Sequence, residues 1–272
     1  MQSVSQRRAA ARPAPSASPA LDRWRATLAP YAERARRPAR RYGEVALAAA
    51  TALTMLVAVW AALVYAPIDA IQGVAWRIFY FHVPVAWVAY LAFGVVCGAS
   101  ILYLWRADER WDWLAHASAE IGIVFTTLTL VVGALWGRPI WGAWWVWDPR
   151  LTTTLILWFI YAGYLLLRTY LGPTASAARA AAVVGILGFV DVPINYLSTT
   201  WWRTQHPGQM ISLDNTGHLT GPALFALFVA LAAFTLVYCF LLLQVFRLEH
   251  LQATVRRLRL RVEVAKLDAE EA

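Results

Sequence analysis

Six predominantly apolar stretches, near 44–66, 82–105, 114–135, 151–171, 178–197 and 221–246, set the terms for the whole chain. A bilayer core about 30 Å thick takes roughly 20 residues of helix. In hydrocarbon every backbone N–H and C=O must be satisfied inside its own helix or in a closed barrel. Runs of this length therefore read as helices. With 60% hydrophobic and only 15% charged residues over 272 positions, the chain is far from the balance of a soluble domain. The expected fold is an all-α integral membrane protein of six transmembrane helices.

A net charge of +8 would suit nucleic acid in a soluble protein. Its placement points instead to topology. With a cytoplasmic N-terminus, the inside segments hold twenty of the 24 Lys and Arg: ten Arg up to Arg41, then Arg106, Arg110, Arg168, Arg179 and the set from Arg247 to Lys266. The outside loops hold only Arg77, Arg138, Arg150 and Arg203. This is the positive-inside pattern. It puts both termini in the cytoplasm and makes the lipid bilayer, with no nucleic acid, the partner that the charge implies.

Residues 1–41, rich in Arg, Ala and Pro, are expected to be a disordered cytoplasmic tail, with room for a short helix near 21–35. Residues 42–247 form the membrane domain. In 248–272, Leu248, Leu251, Val255, Leu258 and Val262 recur at helical spacing among charges, so the sixth span is expected to run on as a cytoplasmic amphipathic helix. Cys97 and Cys239 lie inside spans and outside any C-x-x-C run, which argues against covalent haem attachment to this chain and against thiol–disulfide work. There is no phosphate-binding G-x-x-x-x-G-K-[ST] motif. Any transport energy would come from another subunit, and an enzyme is not expected.

Between the third and fourth spans, on the outside, the chain reads W-G-R-P-I-W-G-A-W-W-V-W-D-P-R, five tryptophans within twelve positions. Interfacial belts use one or two indoles per helix end, a reading that suits Trp60, Trp105, Trp111 and Trp113. Five in one loop exceed that need. In a helical loop, Trp141, Trp144, Trp145 and Asp148 would share one face. Such an indole platform suits a large flat apolar ligand.

Haem is a planar ligand of that size, and it needs an apolar slot, axial ligands for iron and cations for its propionates. His82 opens the second span at its outer boundary, and His206 follows the fifth. On a short interfacial helix beginning at Ser198, Trp202 and His206 would share a face. Each histidine alone also suits a boundary residue bonded to a carbonyl; together with the loop they read as iron ligands. Trp136, Trp141, Trp144, Trp145 and Trp147 would lie against the ring. Arg138 and Arg150, with Arg77 and Arg203, are the candidate propionate or lipid-phosphate partners.

Asp148 followed by Pro149 reads as the cap and first residue of a helix, a role compatible with a ligand contact. His218 reads as part of a turn, while His116 and His250 fall on the inner side. Asp191 and Asn195 are expected to organise a kink at Pro193, and Glu120 to pair with an inside Arg.

The stretches F-H-V-P-V-A-W at 81–87, G-x-x-F-T at 122–126, W-G-x-W-W-x-W-D-x-R-L-T at 141–152, and F-V-D-V-P-I with W-W-x-T-x-H at 189–206 carry a resemblance. Over about residues 42–247 the chain resembles the tryptophan-rich haem-handling proteins of cytochrome c biogenesis, and within them the cytochrome c maturation protein C (CcmC) family. The resemblance implies haem b held non-covalently and transiently at the periplasmic face of the bacterial inner membrane. It implies axial ligation by His82 and His206, with the tryptophan loop on the macrocycle. It further implies delivery to the haem chaperone CcmE, in a complex with the ABC ATPase CcmA, the permease CcmB and the small helical protein CcmD.

Two other readings compete. A permease subunit conducting haem or another substrate would need a polar path between helices, whereas the spans hold few mid-membrane polar residues beyond Thr and Asp191. A membrane b-type cytochrome would need histidine pairs at two depths, and only one outer pair is available.

Overall fold

The computed structural model describes residues 38–207, 219 and 221–270. The expected tail falls on residues 1–37 and, like the turn around His218, lies outside the described residues, apart from 38–41, which already belong to a helix. The chain divides into two units. The first, residues 1–46, contributes only the opening turns of a helix at 38–46 to the described part; the second, residues 47–272, holds everything below.

The described elements are helical: α1 (Pro38–Trp60), continued by a wider π turn at Ala61–Tyr65; a 3-10 turn (Val74–Ile78) leading into α2 (Phe79–Arg106); α3 (Glu109–Trp141); α4 (Pro149–Leu171); α5 (Ala175–Phe189) and α6 (Asp191–Trp201); and α7 (Gly221–Glu270). Among the described residues six helical stretches are long and apolar enough to cross a membrane, α5 and α6 counting together as one. The chain is thus a multi-pass membrane protein.

Connections at one end of the bundle are tight. Ala107, at φ 53°, closes α2, and Asp108 caps α3 by accepting from the Arg110 amide at 3.0 Å. Gly172, at φ 67°, closes α4, and Thr174 caps α5 through the Ala177 amide at 3.1 Å. Irregular backbone at the other end, 66–73, 142–148 and 202–207, is gathered beside the tryptophans. That end is called the tryptophan end below, and the opposite one the basic end.

The fifth span breaks. Pro193 has no N–H for the Phe189 carbonyl and its ring would crowd that group, so the helix stops at Phe189 and restarts at Asp191. Pro193 then lies in the first turn of α6, where no amide partner is required. Asp191 sits at the favourable positive end of α6. Contrary to expectation, Asn195 does not mend the break; it bonds to other helices, as described below.

Close packing is set by small residues. A Cβ added at Gly122 of α3 would come within 2.5 Å of the Phe93 ring of α2. Phe93 is fully buried and stacked on Tyr161 of α4 at 3.7 Å between ring centroids, so it cannot step aside. Two buried hydroxyls are answered across helices: Ser118 donates to the Ala92 carbonyl at 2.8 Å, and Tyr161 to the Gly185 carbonyl at 3.0 Å. On α1, Ala58, Ala61 and Ala62 meet Ala223, Ala226 and Ala230 of α7, the small-residue contact that lets apolar helices approach in lipid.

Near the basic end, Arg168 of α4 makes a bidentate pair with Asp112 of α3 at 2.5 and 2.9 Å. His116 lies between Glu249 of α7 at 3.1 Å and Glu120 at 3.8 Å, so Glu120 pairs with a histidine where an arginine was expected. Trp113, read from sequence as a belt residue, is instead buried with its ring 5.2 Å from that of His250.

Replacing Gly122 by Ala should destabilise the bundle by about 1–3 kcal/mol, the usual cost of overpacking. A lowered thermal midpoint of the purified protein in detergent is the expected result. Melting unchanged from wild type would show slack between α2 and α3.

Candidate functional site

Between α2, α3 and α4 at the tryptophan end lies a cleft of about 780 Å³, counted out to its open mouth. His82, in the first turn of α2, is held against α3. Its ring lies edge-to-face with Trp136 at 5.6 Å, and Gly133 provides the slot, since a Cβ there would come within 3.1 Å of the imidazole Cε1. The side chain is buried, and its Nδ1 has no hydrogen-bond partner.

Trp136 is itself fixed from the first loop. Asp69 accepts from the Ile71 and Gln72 amides at 2.9 and 2.7 Å, forming an Asx turn. Gln72 then accepts from the Trp136 indole at 3.0 Å.

The tryptophan loop is not one helical platform. α3 runs through Trp141 and ends at Gly142, whose φ of 74° closes the helix by a bond from its N–H to the Arg138 carbonyl at 3.1 Å. Gly137 leaves room for Trp141 to fold back, for a Cβ there would lie 2.9 Å from the indole. Beyond Gly142 the backbone is irregular until Pro149, so the i, i+3, i+4 face does not form. Trp136, Trp141 and Trp145 line the cleft; Trp144 and Trp147 do not, and are 58% and 76% exposed. Arg138 also stays outside, donating to the Gly142 carbonyl and lying over the Trp144 ring at 5.9 Å.

Asp148 is the hinge of the arrangement. One carboxylate oxygen caps α4 by accepting from the Arg150 amide at 2.9 Å, with Pro149 as the first helical residue. The other accepts from the Thr204 hydroxyl at 2.6 Å and the Gln205 amide at 2.8 Å. The carboxylate is buried and ties the start of α4 to the loop that carries His206.

That loop is extended, not the expected helix from Ser198: α6 ends at Trp201, and Trp202 is its extended cap residue. Thr204 continues the chain of bonds by accepting from the His206 amide at 3.0 Å. The His206 Nδ1 sits 2.9 Å from the Pro207 carbonyl. A carbonyl only accepts, so Nδ1 carries the proton and Nε2 keeps its lone pair. Burial, reinforced by the Arg150 charge, lowers the His206 pKa to about 4, and the ring is neutral at neutral pH.

The two imidazoles face each other across the cleft with ring centroids 6.4 Å apart and planes at 40°. A metal–nitrogen bond of about 2 Å on each side takes up about 4 Å of such a separation, and the two ring radii take the rest. Arg150 lines the same cleft, together with Tyr90 deeper down. Of the ten residues read from sequence, His82, His206, Trp136, Trp141, Trp145 and Arg150 thus come together at the cleft, with Asp148 directly behind it. Gln72, Gly133, Tyr90, Asn195 and Thr204 were not anticipated in these roles. The spacing of Gly133 and Gly137, i and i+4 in an apolar helix, was the one signal in sequence that a face of α3 had been kept clear.

A family model described as heme exporter protein C matches residues 30–261. The chain belongs to that family. Relatives named heme exporter protein C include that of Bradyrhizobium diazoefficiens, 39% identical over 215 residues, covering 79% of this chain and 81% of the relative. The Haemophilus influenzae protein is 38% identical over 204 residues, covering 73% and 80%. The Rhodobacter capsulatus protein is 35% identical over 196 residues, covering 72% and 81%. The family match spans every element that lines the cleft.

Replacing Asp148 by Ala should cost about 1 kcal/mol for the cap alone and should release the Thr204–His206 segment. Hydrogen exchange of a peptide spanning 203–207 should quicken markedly while α2 stays protected. Unchanged exchange would show that the loop is held by other contacts.

Proposed function

We propose that the chain binds haem in this cleft and hands it on during cytochrome c biogenesis. His82 and His206 are the axial ligands of the iron. Trp136, Trp141 and Trp145 lie against the macrocycle, and Arg150 is beside a propionate. The observation that carries the reading is the pair of facing imidazoles, His82 buried and His206 half-buried: the Nδ1 bond of His206 leaves its Nε2 lone pair free, and no protein group bonds the Nδ1 of His82. The names of the relatives agree with it.

The ligand is haem b, held non-covalently and transiently: neither cysteine is among the lining residues of the cleft. Haem supplies the iron to be ligated; the chain's own residues bind, orient and shield it, and no bond of the substrate is made or broken by this subunit. Trp144 and Trp147, exposed beside the mouth, lie where a receiving protein would approach.

The positive-inside asymmetry supports a cytoplasmic basic end and a cleft opening on the periplasmic face of the bacterial inner membrane. In this reading haem passes to the chaperone CcmE. The chain works with the ABC ATPase CcmA, the permease CcmB and the small helical protein CcmD, and the ATPase activity resides in CcmA.

The test is to purify wild-type protein, His82→Ala, His206→Ala and the double variant and to record their haem absorbance. Each single change should shift the Soret band as one ligand is lost, and the double change should remove nearly all bound haem. Undiminished haem in the double variant would falsify the ligand assignment.

A further inference from the structure

We propose that Asn195 and Tyr90 are positioning residues that hold the Arg150 guanidinium in the cleft for a carboxylate of the bound ring, an inference that rests on the haem reading above. Asn195 is 0% exposed, in the middle of α6, and its amide is fully engaged. Its nitrogen faces the Arg150 carbonyl at 3.0 Å and the Thr153 and Thr154 hydroxyls at 2.7 and 2.8 Å. Its oxygen accepts from the Tyr90 hydroxyl of α2. One side chain therefore joins the three elements that carry the proposed ligands: α2, with His82 two turns above Tyr90; α4, whose first turn bears Arg150; and α6, which leads into the His206 loop. Ser198 ties into the same point by donating to the Asn195 carbonyl at 2.6 Å.

The Arg150 side chain hangs from the turn that Asn195 clamps, and it lies beside the Tyr90 phenol at the deep end of the cleft. Among the described residues no carboxylate forms an ion pair with it; the Asp148 oxygens are directed at the Arg150 amide, Thr204 and Gln205 and not at the guanidinium. A half-buried guanidinium with no ion-pair partner is costly, and a negative group on the ligand would relieve that cost. The planar fork of a guanidinium suits a carboxylate only when its direction is fixed. Asn195 fixes the backbone it springs from, and Tyr90, itself held by Asn195, lies beside the side chain where the two share the cleft lining. The inferred ligand class is an anionic porphyrin with a free propionate directed toward Arg150.

The test compares haem with its dimethyl ester, whose side chains carry no charge, by absorbance titration of the full-length protein in detergent. Tyr90→Phe and Asn195→Ala should each weaken haem binding about tenfold and leave the ester and the Soret position unchanged. Arg150→Ala should behave alike, and adding Tyr90→Phe to it should bring no further loss, since the two act as a unit. Equal weakening of haem and ester in the Tyr90 and Asn195 variants, or a full additive loss in the double, would assign them a merely structural role and overturn the inference. Selective loss of haem in Arg150→Ala alone would also overturn it while leaving the haem site intact. A wild-type Soret band untouched by the double histidine change would overturn the site reading and this inference with it.

Discussion

A bilayer provides no water for a stray amide or carbonyl, and that rule decides where this chain can afford irregular structure. Most of the described backbone is closed into helices, and the hydroxyls within them, such as those of Thr126 and Thr129, are turned back onto carbonyls one turn earlier. Long irregular stretches gather at the tryptophan end, where each loose strand of backbone is tied down by a side chain. Asp69 does this for the first loop, Asp148 for the start of α4 and the His206 loop together, and Asn195 for the first turn of α4. The cleft is the space that these ties leave between the helix ends.

The same ties explain how a shallow site can be stiff. Loop residues ordinarily hold their side chains loosely, yet His206 is reached through a continuous run of bonds from the α4 cap to Thr204 and on to its own amide. His82 needs no such scaffold because it sits on a helix, wedged by the absence of a side chain at Gly133. One face of the cleft is thus set by close packing and the other by hydrogen bonds. Capping bonds contribute about 1 kcal/mol each on the loop face, while close van der Waals packing holds the helix face.

The helices were legible in sequence because apolar run length is a direct consequence of membrane thickness. That His82, His206 and most of the tryptophan cluster would gather at one end was legible because they are chemically conspicuous and lie at span boundaries. What could not be read was backbone direction. A five-tryptophan segment has a helical period on paper, but Gly142 ends the helix after Trp141 and sends Trp144 and Trp147 outward. Asn195 lay next to a proline and so suggested a local repair, while its bonds run across space to residues more than forty positions away in sequence. Gly133 carried only the faint signal of its spacing to Gly137, since a glycine that clears space for a ring looks like any other glycine in an apolar span. Asp148 was read correctly as a cap, but a carboxylate has two oxygens, and nothing in the linear order named the partners of the second.

The two facing imidazoles are not equivalent. His206 gives its Nδ1 proton to the Pro207 carbonyl, whereas the Nδ1 of His82 is buried with no acceptor at all. An imidazole that shares its proton with a carbonyl is the more basic ring, and the stronger electron donor through its other nitrogen. In the proposed haem site that difference would make the grip uneven, with the firmer partner on the loop and the weaker one on the helix. For a ligand that is to be handed on, as proposed, such an imbalance would give departure a direction, the helix side letting go before the loop.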